Sequence, residues 1–97
     1  MKRVKKRLHP IGRAIEYVLA AGHTPRVQLD ARRKDVTVPD HGRARCGARL
    51  IIDLDPSWPL AMEHTKDALE VDLAFQGVVD RCRLGWGSIY AIVDRAT

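Results

Sequence analysis

The sequence predicts an α+β domain. One N-terminal helix packs on a small barrel or on two stacked antiparallel sheets, and a short C-terminal helix closes the structure. Two observations carry this. Leu8, Ile11, Ala14, Ile15, Val18 and Leu19 recur at three- and four-residue steps, which is the apolar stripe of a helix. From Val27 onward the period falls to two, most cleanly from Ala68 to Phe75, the pattern of half-buried strands.

The helix is expected over residues 9–21. Pro10 suits its first turn, where the missing N–H costs nothing. Gly22 suits the left-handed position after its end, and Pro25 blocks continuation. Residues 26–31 alternate as a strand, with Val27 and Leu29 against Gln28 and Asp30. Residues 32–35 are charged and turn-like. Val36-Thr37-Val38 is a short β-branched strand ended by Pro39, and residues 40–46 form a polar loop. Residues 49–54 read as a buried strand that Pro56 stops. Trp58 to Met62 reads as a packed loop over one end of the core. In the strand from Ala68, Leu69, Val71, Leu73 and Phe75 share one face, with Glu70 and Asp72 on the other. Gln76-Gly77 is a hairpin connection to a partner strand over 78–84. There Arg81 or Arg83 opposite Glu70 or Asp72 would give cross-strand charge pairs, each worth at most about 1 kcal/mol. Gly85-Trp86-Gly87 breaks the strand. Trp86, Ile89, Tyr90 and Val93 at helical spacing predict the closing helix over 86–95.

Ninety-seven residues make one domain, 1–97, with residues 1–8 as a basic arm. With 45% hydrophobic and 30% charged residues the composition is that of a globular protein, which excludes wholesale disorder. No apolar run approaches the roughly 18 residues that span a membrane. The basic start leads into a stretch interrupted by Arg13 and Glu16 rather than a continuous apolar core, so no signal peptide is read. A soluble, cytoplasmic protein is expected. Cys46 and Cys82 lie outside any CxxC spacing, and His9, His23, His41 and His64 are scattered. Free thiols, no metal and no cofactor are expected.

The net charge of +5 is unevenly placed. Residues 1–49 carry 13 basic and 4 acidic side chains (+9), and residues 50–97 carry 4 and 8 (−4). Such a first half attracts phosphate backbones or an acidic partner. No aromatic residue interleaves with these basic residues to stack bases, so a solvated basic arm is the simpler reading.

Catalytic patterns are missing. There is no phosphate-binding Gly-rich loop, and the only two serines, Ser57 and Ser88, lie in no GxSxG. Asp53 and Asp55 share a strand face, but catalytic carboxyls normally converge from separate segments. A non-enzyme is expected. A strand-rich surface offers sheet edges and inter-sheet clefts to extended peptides instead.

Several segments, in order, carry a family resemblance. They are Thr24-Pro25-Arg26-Val27-Gln28-Leu29-Asp30, Val36-Thr37-Val38-Pro39 and Leu50-Ile51-Ile52-Asp53-Leu54-Asp55-Pro56. Lys66-Asp67-Ala68-Leu69-Glu70-Val71-Asp72-Leu73-Ala74-Phe75-Gln76-Gly77 follows, and then Tyr90-Ala91-Ile92-Val93-Asp94-Arg95. The chain resembles the SspB (stringent starvation protein B) family of bacterial ClpXP adaptors, collinearly over about 70 residues. The resemblance implies an Sm-like β-fold, dimeric through its N-terminal helix, and no catalysis. It implies that ssrA degradation-tag peptides lie in a hydrophobic groove and that tagged proteins are tethered to the ClpX unfoldase for ClpP. The groove is assigned to Ile52, Leu54, Val71, Leu73, Ala74 and Phe75, and the dimer helix to Ile11, Ile15 and Val18.

Two departures stand out. The family's F-x-A-R-F becomes Val71-Asp72-Leu73-Ala74-Phe75, so Leu73 replaces a small residue associated with tag binding and either reshapes or closes the groove. The family's flexible ClpX-docking tail has no counterpart within residues 1–97, and the arm Lys2 to Arg7 is the candidate substitute. The alternatives are a small basic β-barrel that binds RNA, and an SspB-like interaction module that has lost tag binding.

Overall fold

The computed structural model describes residues 8–39, 47–75 and 77–96. It opens with helix α1 (Pro10–Ala20). Ahead of it, the His9 Nδ1 accepts the Ile11 N–H at 3.1 Å, which caps one of the unpaired donors of the first turn. At the other end the His23 N–H reaches Val18 O (3.1 Å) and the Gly22 N–H reaches Leu19 O (2.9 Å). This double closure needs a left-handed residue, and Gly22 supplies it with φ of 80°.

Two antiparallel sheets follow. In the first, β1 (Thr24–Leu29) lies between β3 (Leu50–Asp53) and β7 (Ile89–Arg95). Pro25, Val27 and Leu29 alternate inward, and Val27 sits opposite both Ile52 and Ile92. The second sheet runs β2 (Val36–Thr37), β6 (Val78–Gly85), β5 (Ala68–Phe75), β4 (Glu63–His64). In the β5–β6 hairpin Glu70 faces Arg83 and Asp72 faces Arg81, which decides between the charge pairings that the alternation leaves open. The pairs close at 2.9 Å and 3.0 Å. Gly77 turns this hairpin with φ of 84°.

One expectation is corrected. The short C-terminal helix over 86–95 is absent. A single 3₁₀ turn, Trp86–Ser88, leads directly into β7. Trp86, Ile89, Tyr90 and Val93 fit a helical period, but Ile89, Ile92 and Val93 are β-branched and suit a pleated surface. A ten-residue helix is marginal by itself, whereas β7 satisfies the open side of β1 over its whole length. The register slips once, between Gln28 and Leu29, which leaves Tyr90 as the extra residue. The loop over 58–62 also gains a feature, because it runs into the two-residue strand β4.

The core lies between the sheets and under α1. Leu29, Leu54, Leu69, Leu84, Val27, Val71 and Ile15 are fully buried in it. Each such side chain contributes about 1.5–3 kcal/mol of burial. Gly12 lets the helix approach closely. A Cβ there would stand 2.7 Å from His64 Nδ1 and 3.0 Å from Trp86 Cη2. Both His9 and His64 stack on the Trp86 ring, with centroids 5.0 and 5.8 Å away. The Trp86 indole N–H donates to Thr65 O (3.0 Å), and His64 Nε2 meets Glu16 Oε2 at 2.6 Å. None of the described helices is long and apolar enough to cross a membrane.

Candidate functional site

A groove of about 420 Å³ opens where the two sheets part, within the size range of small-ligand and peptide clefts. Ile51, Ile52 and Asp53 of β3 form one wall, and Leu73, Ala74 and Phe75 at the end of β5 form the other. Asp55, Trp58 and Leu60 from the connecting segment complete it. That segment is pinned along its length. Pro56 cannot continue the ladder, and Asp55 Oδ1 accepts from the Ser57 N–H (2.9 Å) and hydroxyl (2.8 Å), turning the chain. The Trp58 N–H then donates to Asp55 O, and the Asp72 N–H donates to Leu60 O at 2.7 Å. Ala61, held at φ of 47°, offers its carbonyl to Arg81 Nη1 at 2.7 Å.

The residues assigned to the groove from sequence divide. Ile52 and Leu73, both nearly buried, form its floor, while Ala74 is exposed and Phe75 half-buried. Leu73 therefore stands in the groove and does not fill it. Leu54 and Val71 are completely buried among core side chains and do not reach it. Three lining residues are not assigned to the groove from sequence: Ile51, 52% exposed, and Trp58, 40% exposed, on its walls, and the buried Leu60 on its floor. A tryptophan between two prolines, Pro56 and Pro59, is the available signal.

Of the helix residues Ile11, Ile15 and Val18, Ile15 is fully buried in the core, Val18 is buried and Ile11 is half-buried. The outer face of α1 presents Arg13, Ala14 and Tyr17, the last 78% exposed.

Charge in and around the groove is largely matched. Asp53 binds Arg26 through Nε (2.8 Å) and Nη2 (3.1 Å), and Arg95 through Nη1 (2.7 Å). The Arg26 hydrogen bond holds the Asp53 carboxyl below the usual carboxylate range. The Ser57 backbone N–H does the same for Asp55. Neither carboxylate is thereby poised as a general acid. Elsewhere Arg32 pairs with Asp30, Arg33 with Asp35, Arg81 with Asp72 and Glu63, and Arg83 with Glu70. Cys82 is a free, buried thiol whose pKa burial pushes up to about 11. The basic arm through Arg7, the loop with Arg43 and Arg45, Cys46 and Gln76 lie outside the described residues.

No protein-family model matches the chain, and no curated protein is similar to it at a significant level.

Proposed function

We propose that this protein is a non-enzymatic peptide-binding adaptor of the SspB type. It holds ssrA-type degradation tags in the groove between β3 and β5 and delivers tagged proteins to ClpX. The carrying observation is that groove, whose walls expose Ile51 and Trp58 above a floor of Ile52 and Leu73. Exposed apolar side chains around a cleft mark a binding surface. The collinear motifs from Thr24 to Arg95 supply the direction of the reading. Two copies joined through the helix would add avidity to a weak peptide site. The pairing of Arg26, Arg32, Arg33, Arg81, Arg83 and Arg95 with acids leaves less free positive charge for a nucleic acid.

The test is fluorescence anisotropy of a labelled ssrA-tag peptide from the same organism, beside a scrambled peptide and at two salt concentrations. Saturable, sequence-dependent binding with little salt dependence is expected. Trp58→Ala removes a central aromatic wall and is expected to cost about 2 kcal/mol, roughly 30-fold in Kd, with Tm unchanged. Binding equal to the scramble and erased by salt would sink the adaptor reading in favour of a basic nucleic-acid binder.

A further inference from the structure

The groove is bordered by apolar side chains and by backbone groups that, among the described residues, have no ladder partner. Leu54 N–H bonds Pro25 O, and Trp86 N–H bonds Asp67 O. Hydrogen-bonded and non-bonded pairs alternate along antiparallel ladders, so these two bonds set the phase of β3 and β5. On β3 the main-chain groups of Ile51 and Asp53 then point away from β1. On β5 those of Glu70, Asp72 and Ala74 point away from β6. Strand β4 covers Glu70, and Leu60 O takes the Asp72 N–H. Among the described residues nothing pairs with the next rung, at Ala74. An open edge of this kind is a template for another strand.

We infer that the groove captures its ligand by strand addition. An extended peptide continues, on the Ala74 rung of β5, the ladder that Leu60 begins, with apolar side chains at every second position and a basic residue at a flank. This rests on the peptide-binding reading above and specifies how that site recognises its ligand. Main-chain bonds to Ala74 supply affinity that does not depend on sequence. Alternate side chains of the added strand fall on the floor made by Ile52, Leu60 and Leu73. The basic flank follows from charge. Asp53 is already matched by two arginines, but Asp55 is exposed and, among the described residues, its carboxylate bonds only within its own turn to Ser57.

The probe is a fluorescein-labelled, amidated peptide of alternating valine and threonine with a lysine at each end. Two versions carry N-methyl groups on alternate backbone amides, one version for each alternate set. One set is expected to weaken binding at least tenfold and the other to leave it nearly unchanged. Ala74→Pro removes the outward N–H at a position where a sheet edge tolerates proline. It is expected to weaken binding at least tenfold with Tm retained, while Ala74→Ser, which keeps the N–H, binds normally. Asp55→Asn is expected to erase the advantage of the lysine probe over its glutamine version. Binding that is the same for the unmethylated peptide and both methylated versions overturns strand addition and leaves peptide binding standing. If neither this probe nor the ssrA-tag peptide binds, both proposals fail. Should Ala74→Pro unfold the protein, the methylated peptides decide by themselves.

Discussion

Replacing Gly12 by alanine sets two effects of known size against each other. In a helix interior alanine is favoured over glycine by about 1 kcal/mol, so propensity alone predicts a more stable protein. The structure predicts the reverse. The new Cβ would stand 2.7 Å from His64 Nδ1, and 3.0 Å from both His64 Cε1 and Trp86 Cη2. His64 has little room to retreat, because it stacks on Trp86 and its Nε2 is held by Glu16 at 2.6 Å. Its Nδ1 is already buried with no hydrogen-bond partner among the described residues. Overpacking of this kind costs about 1–3 kcal/mol. Taking about 2 against the gain of about 1 leaves a net loss of about 1 kcal/mol, which lowers Tm by roughly 4–8 °C in a domain of this size. Thermal unfolding followed by circular dichroism measures it. The same substitution in a His64→Ala background removes the nearest obstacle and is expected to become neutral or stabilising, so the cycle isolates the clash. A Gly12→Ala protein that melts higher than the parent would refute the claim that Gly12 is there for close approach.

Two further outcomes follow from titrating groups. Arg32 holds Asp30 at a pKa of about 2, and Arg26 also lowers Asp53. Carboxylates depressed in the folded state stabilise it fully above their unfolded pKa and lose that contribution as pH falls through the folded value. Stability is therefore expected to decline from about pH 4 toward about pH 2, with a shallower slope in Asp30→Asn. An identical slope in that variant, by urea titration at each pH, would contradict the assignment. For Cys82, burial and a pKa near 11 predict almost no alkylation by iodoacetamide at pH 8 in the native protein. Labelling should appear only as urea unfolds the chain, read by mass spectrometry of the Cys82 peptide. Rapid native labelling would show that the site is open.

Local signals make the β5–β6 hairpin legible in the amino-acid sequence. Its alternation and its Gly77 turn mark two paired strands with opposite charges facing, and the structure selects the register in which Glu70 meets Arg83 and Asp72 meets Arg81. Helix α1 is equally legible, since its stripe, proline and terminal glycine agree. The segment after Trp86 is not, because its apolar residues satisfy a helical period and a strand equally well. The vacancy beside β1, on the far side of the chain in sequence, decides between them. The groove is half legible for a similar reason. Ile52 and Leu54 look alike in the alternation, as do Leu73 and Val71, yet only the first of each pair lies where the sheets diverge. Ile51 belongs to the outward set of its strand, and alternation alone assigns such residues to solvent. Its role depends on where the 55–61 segment is tied down, by bonds to Asp72 and Arg81 that lie far along the chain.

The two tryptophans occupy opposite environments. Trp86 is 3% exposed, stacked between the helix approach and β4, and Trp58 is 40% exposed on the wall of the groove. An indole open to water emits at longer wavelength and meets a dissolved quencher more readily than a buried one. The chain thus carries two separable optical reporters, one on the groove and one on the seating of the helix. In a Trp86→Phe variant, occupancy of the groove is expected to register as loss of acrylamide quenching at Trp58. In a Trp58→Phe variant, Trp86 should stay silent to ligand and respond only when α1 leaves the sheet.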